Sequence, residues 1–354
     1  MCAWPFVCLW QPVLAGAPRA ELRIRSNATV VMTLGVVVIG RNEGERLGAC
    51  LRSVVGQATT VVYVDSGSTD GSVMLAHTIG AEVVSLDLSR PFTAARARNV
   101  GFARLKAVTA EISRVQFVDG DCEVQEGWLD KGARFLESHP EVAAVCGRNR
   151  ERYPDRSVYN QLCDLEWNTP VGSALACGGI AMYRREALEQ AKGFREDLIA
   201  GEEPELCVRL RGLGWKIWRL DAEMTLHDAA MTRFSQWWRR SVRTGHAFAE
   251  GAHLHGARPE RHWVRETRGA RIWALAVPLV IVVAVVFWSP LAALGVLVYP
   301  IQVVRLALRE GGATQHRWVR AFFLVLGKFP ELLGQWKYIR SRWAGRLPQL
   351  IEYK

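Results

Sequence analysis

Val115-Gln116-Phe117-Val118-Asp119-Gly120-Asp121 is the stretch from which the fold is read. Val115, Phe117 and Val118 make a short apolar run of strand type, and it runs directly into two carboxylates separated by one glycine. Like charges this close raise each other's affinity for protons and repel. A divalent cation relieves that conflict, and hard cations such as Mg²⁺ prefer carboxylate oxygens together with substrate phosphates. Gly120 lets the backbone turn and a ligand approach closely.

Working outward, strands and helices alternate. Leu34–Ile39 is a strand, and Glu45–Val55 carries Leu47, Leu51, Val54 and Val55 on one helical face. Thr60–Val64 is a second strand, Gly71–Ile79 a helix started by Ser68 or Asp70, and Glu82–Leu86 a third strand. Near-continuous apolar strands alternating with helices specify an α/β domain on a mostly parallel sheet. Ligands in such sheets bind beyond the carboxyl ends of the strands. Two of those ends carry acids, Asp65 after the second strand and Asp119-Gly120-Asp121 here. There is no Gly-x-Gly-x-x-Gly and no Gly-Lys-Ser/Thr loop, so neither a Rossmann dinucleotide site nor a P-loop is indicated.

The formal charge of +10 is confined to the C-terminal tail. Residues 258–354 hold 15 Lys/Arg against 5 Asp/Glu, a surplus equal to the net charge of the whole chain. These cations lie among apolar runs and tryptophans, which points to an anionic membrane surface and away from nucleic acid. Ile272–Trp288 and Leu291–Val304 are uncharged runs near the lower length limit for spanning helices. Arg265, Arg268 and Arg271 precede them and Arg305 and Arg309 follow, which predicts a helical hairpin with both outer ends cytoplasmic. Residues 318–343 carry Trp318, Phe322, Phe323, Leu326, Phe329, Leu332, Leu333, Trp336 and Ile339 with flanking cations. They read as a helix lying in the membrane interface, broken near Pro330.

Eight cysteines without Cys-x-x-Cys spacing read as small buried hydrophobes in a reducing compartment. Residues 1–31 open on an apolar part, Met1–Leu14, that contains Pro5 and Pro12 and has no basic start. They make a poor signal peptide and a poor spanning helix, and read as an upstream extension before Met32.

An ordered set of motifs now carries a resemblance. Val-Ile-Gly-Arg-Asn-Glu-Gly (38–44), Val-Asp-Ser-Gly-Ser-Thr-Asp-Gly-Ser (64–72), Ala-Arg-Asn-Val-Gly (97–101) and Asp-Gly-Asp (119–121) come in that order. Cys-Gly-Gly-Ile-Ala-Met-Tyr-Arg-Arg (177–185) and Gly-Glu-Glu-Pro-Glu-Leu-Cys-Val-Arg-Leu (201–210) follow. Over roughly residues 34–250 the chain resembles the family 2 glycosyltransferases of the GT-A fold.

The resemblance implies a GT-A-type nucleotide-binding domain over residues 32–256, with a mostly parallel mixed sheet, and a membrane-associated helical region over 257–354. It also implies roles. Asn42 and Glu43 would lie beside the nucleotide, and Asp65 would read the base, with a UDP-sugar favoured. Arg98, Asn99 and Gly179 would line the donor pocket. Asp119 would approach the donor ribose or sugar, and Asp121 would hold a Mg or Mn ion, with His227 as a further ligand. Glu203, where the family pattern has Asp, would be the general base and Glu202 its support. Apart from the resemblance, Trp237–His246 reads as a basic amphipathic helix, either a solvated or membrane-facing surface or one that places Arg239, Arg240 or Arg243 near the departing diphosphate.

The function expected is a metal-dependent, inverting transfer of sugar to a lipid or glycan hydroxyl at the inner membrane, with the catalytic domain facing the cytoplasm. The alternatives weighed are a sugar-phosphate nucleotidyltransferase and a catalytically inactive saccharide- or lipid-binding scaffold.

Overall fold

The computed structural model describes residues 33–309 and 314–345. The expected upstream extension, residues 1–31, and the Met32 start lie outside the described residues.

One mixed sheet organises the molecule. Its strands are β1 (Leu34–Gly40), β2 (Thr60–Asp65), β3 (Glu82–Ser85), β4 (Arg114–Asp119), β5 (Cys122–Val124), β6 (Val142–Glu151), β7 (Gly172–Ser173), β8 (Ala181–Arg184) and β9 (Lys216–His227). Across the sheet the order is β3-β2-β1-β4-β8-β6-β9-β5, with β7 on β9. The first four strands are parallel. Val36–Val38, Val61–Val64 and Val115–Val118 form much of the buried centre, which is why these strands read as apolar runs and not as alternating ones. Helix α1 (Glu45–Arg52) follows β1 and α2 (Ser72–Ile79) follows β2, while α3 (Ala94–Val108) lies across β1 and β2. Gly101 permits that approach, since a Cβ there would overlap Val37 and Val64.

The register sets the functional end. Gly40 pairs with Asp65 and Ile39 with Asp119, so the acids after β2 and β4 flank the end of β1. The chain steps from β1 to β2 on one side and later to β4 on the other, which opens a crevice at this switch point. Strand β8 runs antiparallel to β4, so the turn preceding it, residues 177–180, arrives at the same end. β5 and β9 are antiparallel with Cys122 opposite His227, which brings the end of β9 to the Asp-Gly-Asp turn. Between these strands lie α4 (Trp128–Ser138), α5 (Val158–Glu166), α6 (Arg185–Gln190) and α7 (Glu202–Gly212).

Helix α8 (Phe234–His255) joins this domain to the C-terminal helices. It leads to α9 (Val264–Arg271), a π-helical turn over Ile272–Ala276, and α10 (Val277–Phe287). After a 3₁₀ stretch over Pro290–Leu297 come α11 (Val298–Arg309), α12 (Thr314–Leu326) and α13 (Lys328–Trp343). Val264–Phe287 and Pro290–Arg309 are both long and apolar enough to cross a membrane, and only 6% of each apolar window is buried within the protein. They pack antiparallel, with Tyr299 donating to the Trp273 carbonyl at 2.7 Å.

The break in the 318–343 segment falls at Gly327, close to Pro330 as expected, and Pro330 sits in the first turn of α13, where its missing N–H has no helical partner to lose. α13 packs against the sheet domain through α8. Glu331, Gly334 and Gln335 are buried, while Leu333, Trp336 and Arg340 point outward. Gly245 of α8 and Gly334 of α13 let the two backbones touch, and a Cβ on either would collide with main-chain atoms of the other helix. Gln335 accepts from Arg271 Nε at 3.0 Å and donates to the Thr267 carbonyl at 3.1 Å, tying α13 to α9. A Gly334→Ala substitution is therefore expected to cost about 1–3 kcal/mol by overpacking. Limited proteolysis should then cut between α12 and α13 at protease levels the wild type survives.

Candidate active site

Asp65 is buried at the end of β2 and fixed by three donors. Tyr63 Oη donates to Oδ1 at 3.0 Å, and Gly67 N and Ser68 N donate to Oδ2 at 3.0 and 2.9 Å. Burial, and then the Asp65 charge, push the Tyr63 phenol upward, so it remains a neutral donor. Asn42, at positive φ in the first strand-to-helix loop, accepts from Thr69 N at 2.7 Å through Oδ1, and its own N–H donates to Ser68 Oγ at 2.9 Å. The two loops thus hold each other. Glu43 pairs with Arg46 at 2.7 Å. Its stem lies where a Cβ on Gly120 would meet it at 3.3 Å, so Gly120 keeps the Asp-Gly-Asp turn close to the first loop.

Arg98 links the next two acids. Its Nη2 donates to Asp119 Oδ1 at 2.9 Å and its Nη1 to Glu202 Oε1 at 2.6 Å, with all three side chains buried. The guanidinium stands over the Phe194 ring, 5.7 Å from its centroid. Gly179 passes beside this group, and a Cβ there would lie 2.8 Å from Arg98 Nη2 and 3.6 Å from Asp119 Oδ2. The structure therefore brings Arg98, Asp119, Gly179 and Glu202 together. Asn99 is placed differently. Its amide donates to the Phe194 carbonyl at 2.8 Å and accepts from Phe194 N at 2.9 Å, which clamps the backbone of the segment whose Phe194 ring lies under Arg98.

Asp121 meets His227 at the far end, with Oδ2 3.3 Å from Nε2. The other imidazole nitrogen faces Glu151 Oε2 at 3.8 Å, and the Trp167 ring meets the imidazole edge-on at 4.6 Å. Glu151 is itself fixed by Ala229 N, Tyr153 N and Asn160 Nδ2. A carboxylate behind a histidine that ligates a metal is the usual device for fixing its tautomer and ring plane. Asp121, Cys122 and His227 offer three buried ligand atoms within 4.8 Å of one another, so the residues present fit a divalent ion.

Glu203 occupies a separate niche. Oε1 accepts from Cys177 N at 2.9 Å, Tyr183 Oη at 3.1 Å and Cys207 Sγ at 3.0 Å, and Oε2 accepts from Gly178 N at 3.1 Å. Burial raises this carboxyl to about 7, and the four donors only partly offset it. Glu203 thereby carries the 177–178 turn that places Gly179, an anchoring task the sequence did not disclose.

Arg240 and Arg243, considered above for the diphosphate, are committed elsewhere. Arg240 makes a two-pronged pair with buried Glu166 at 2.9 and 3.0 Å, and Arg243 donates to the Ile199 carbonyl at 2.7 Å. Sequence reasoning missed Glu151, Trp167 and Cys122. Of these, only Cys122 carried a signal, its place directly after Asp121.

The Arg98 bridge yields a direct test. Arg98→Met keeps the length of the side chain but leaves Asp119 and Glu202 without their shared cation in a buried setting. Breaking a buried pair in this way costs about 3–5 kcal/mol. Thermal unfolding should show that loss, and Asn99→Ala, outside the bridge, should cost less.

Residues 35–191 match the family model described as Glycosyl transferase family 2. The O-antigen chain rhamnosyltransferase of Salmonella typhimurium is 24% identical over 172 residues, 44% of this chain and 53% of the relative. A TPR repeat-containing protein of Synechococcus elongatus is 28% identical over 138 residues, 39% of this chain and 32% of that one. The chain thus spans about half, or less, of the length of these curated relatives. A mannosyltransferase from Pyrobaculum calidifontis, solved in complex with GDP-Man and Mn²⁺, shares the fold with a TM-score of 0.62. It is 20% identical, and the alignment covers 92% of both chains. Motif order and family match agree over residues 35–191, which form a region matching Glycosyl transferase family 2, and the mixed sheet shares its fold with the solved mannosyltransferase.

Proposed function

We propose that the chain moves a sugar, with inversion, from a nucleoside-diphosphate sugar to a hydroxyl of a lipid-linked or glycan acceptor at the cytoplasmic face of a membrane. The observation that carries this reading is the placement of Asp65, the Arg98–Asp119–Glu202 bridge and the Asp121–His227 pair at one end of the sheet, with Asp65 and Asp119 at the carboxyl ends of the two strands that flank β1. That row follows the parts of such a donor, from base through ribose to diphosphate. A solved relative of the same fold holding GDP-Man and Mn²⁺ supports the donor class. The choice of a UDP-sugar rests on Asp65 as reader of the base.

A Mg or Mn ion held by Asp121 and His227 would neutralise charge gathering on the leaving diphosphate. Asp65 orients the base, and Arg98 keeps the Asp119 carboxylate fixed toward the ribose and sugar. Glu203 takes the proton of the attacking hydroxyl. Its carboxyl, raised to about 7, is better matched to proton transfer at neutral pH than an ordinary glutamate. Glu202 is committed to Arg98 and serves as its support.

Attachment follows from the hairpin. Leu279, Val280, Val286, Phe287 and Trp288 are exposed on one limb, and Leu291, Leu294, Ile301 and Leu308 on the other. Arg268 and Arg271 stand at one base and Arg305 and Arg309 at the other, which favours a cytoplasmic base. Outward-facing Trp336 and Arg340 on α13 suit the same interface.

Glu203→Gln is expected to lower kcat by about two to four orders of magnitude while nucleotide binding, followed by thermal shift with Mn²⁺, persists. The raised carboxyl must be ionised to accept a proton, so wild-type kcat should climb as pH rises through about 7 and level off above it. A loss confined to Glu202→Gln, with Glu203→Gln near wild type, would move the base to Glu202. Extraction of membranes at alkaline pH should leave the full chain in the pellet, and its release would refute the spanning hairpin.

A further inference from the structure

We propose that Cys122 is a third protein ligand to the ion and biases the site toward thiophilic divalent cations such as Zn²⁺ and Co²⁺ over Mg²⁺. The proposal rests on the reading above in which Asp121 and His227 hold a metal.

Three observations carry it. Cys122 and His227 are directly opposed in the antiparallel β5–β9 pair, so their side chains leave the sheet on the same face as close neighbours. Cys122 Sγ lies 3.5 Å from Asp121 Oδ1, and His227 Nε2 lies 3.3 Å from Asp121 Oδ2. Finally, the three ligand atoms are mutually within 4.8 Å and all three residues are buried.

The donor set discriminates between ions. Zinc accepts nitrogen, oxygen and sulfur ligands together in one small site. Mg²⁺ requires a shell of oxygens and has little use for sulfur. With three protein ligands a bound zinc would keep room for a diphosphate oxygen, the pattern of catalytic zinc sites. Glu151 and Trp167 hold the imidazole of His227 from behind, so the pairing of nitrogen and sulfur does not depend on a mobile loop.

The test is spectroscopic. The full chain in detergent is titrated with Co²⁺ in the presence of GDP or UDP, and near-ultraviolet absorption is followed for a sulfur-to-cobalt charge-transfer band. The expected result is a band in the wild type that is lost in Cys122→Ser. Zn²⁺ affinity, measured by competition, should fall by at least about tenfold in that variant, since even supporting groups around a metal are worth 10–100-fold. Mn²⁺ affinity should change little in Cys122→Ser, and Cys122→Ala repeats the comparison should the serine variant misfold. Cobalt bound to wild type without the band, or a band that survives both substitutions, overturns the role of Cys122 and leaves the Asp121–His227 site standing. Failure of the wild type to bind any divalent ion defeats that site as well.

Discussion

The Arg98 guanidinium, buried between Asp119 and Glu202, is the interaction on which the site depends. One cation from α3 meets a carboxylate from the end of β4 and another from the start of α7, so three segments far apart in sequence are fixed by a single planar group. Two acids and one base in a dry environment are costly to assemble, and such bridges add little net stability. Their value here is positional. Asp119 cannot swing away from the crevice without leaving Arg98 half-satisfied, and Gly179 must remain side-chain-free beside the guanidinium. The order of this bridge is also why Glu202 and Glu203, adjacent in sequence, do different work.

That division follows from helix geometry. Successive residues at the start of α7 point about 100° apart, so one glutamate faces Arg98 and the next is driven into the interior beneath the 177–178 turn. The interior residue is the one whose carboxyl is raised to about 7. Anchoring and proton affinity therefore have one origin, the removal of Glu203 from water. At the other end of the crevice, Asp65 is held by the backbone N–H groups of its own turn and Asp121 by a histidine from the last strand. The pocket thus grades from hydrogen-bonded carboxylate, through ion-paired carboxylate, to a ligand set for a metal.

The C-terminal helices are built onto this domain by contact and not by a loose linker. Gly245 and Gly334 allow α8 and α13 to meet at backbone distance, and Gln335 continues the contact to α9. Near its start α8 also supplies Arg240 to Glu166 at the end of α5, the residue before Trp167, which packs on His227. The helix that shows Trp336 outward and the histidine proposed as metal ligand are accordingly parts of one packed body.

The sequence by itself determined the α/β class, the strands over 34–39, 60–64 and 115–118 to within a residue at each end, the paired apolar helices, and the segments that supply acids to the crevice. Each of these is a local property. Apolar runs bounded by turn residues define strands, uncharged runs flanked by arginines define the paired helices, and acids at strand ends are exceptional enough to be noticed. Only the tertiary structure decided which partner each acid takes. Arg98 spans 104 positions to reach Glu202, Glu151 and Trp167 come to His227 from separate elements, and Asn99 turns out to clamp Phe194. The cations of α8 show the same limit, because Arg240 and Arg243 on an amphipathic helix read as surface until packing buries them against Glu166 and Ile199. Charge pairing and burial depend on through-space distance between distant segments, and no local pattern in a single chain encodes that distance.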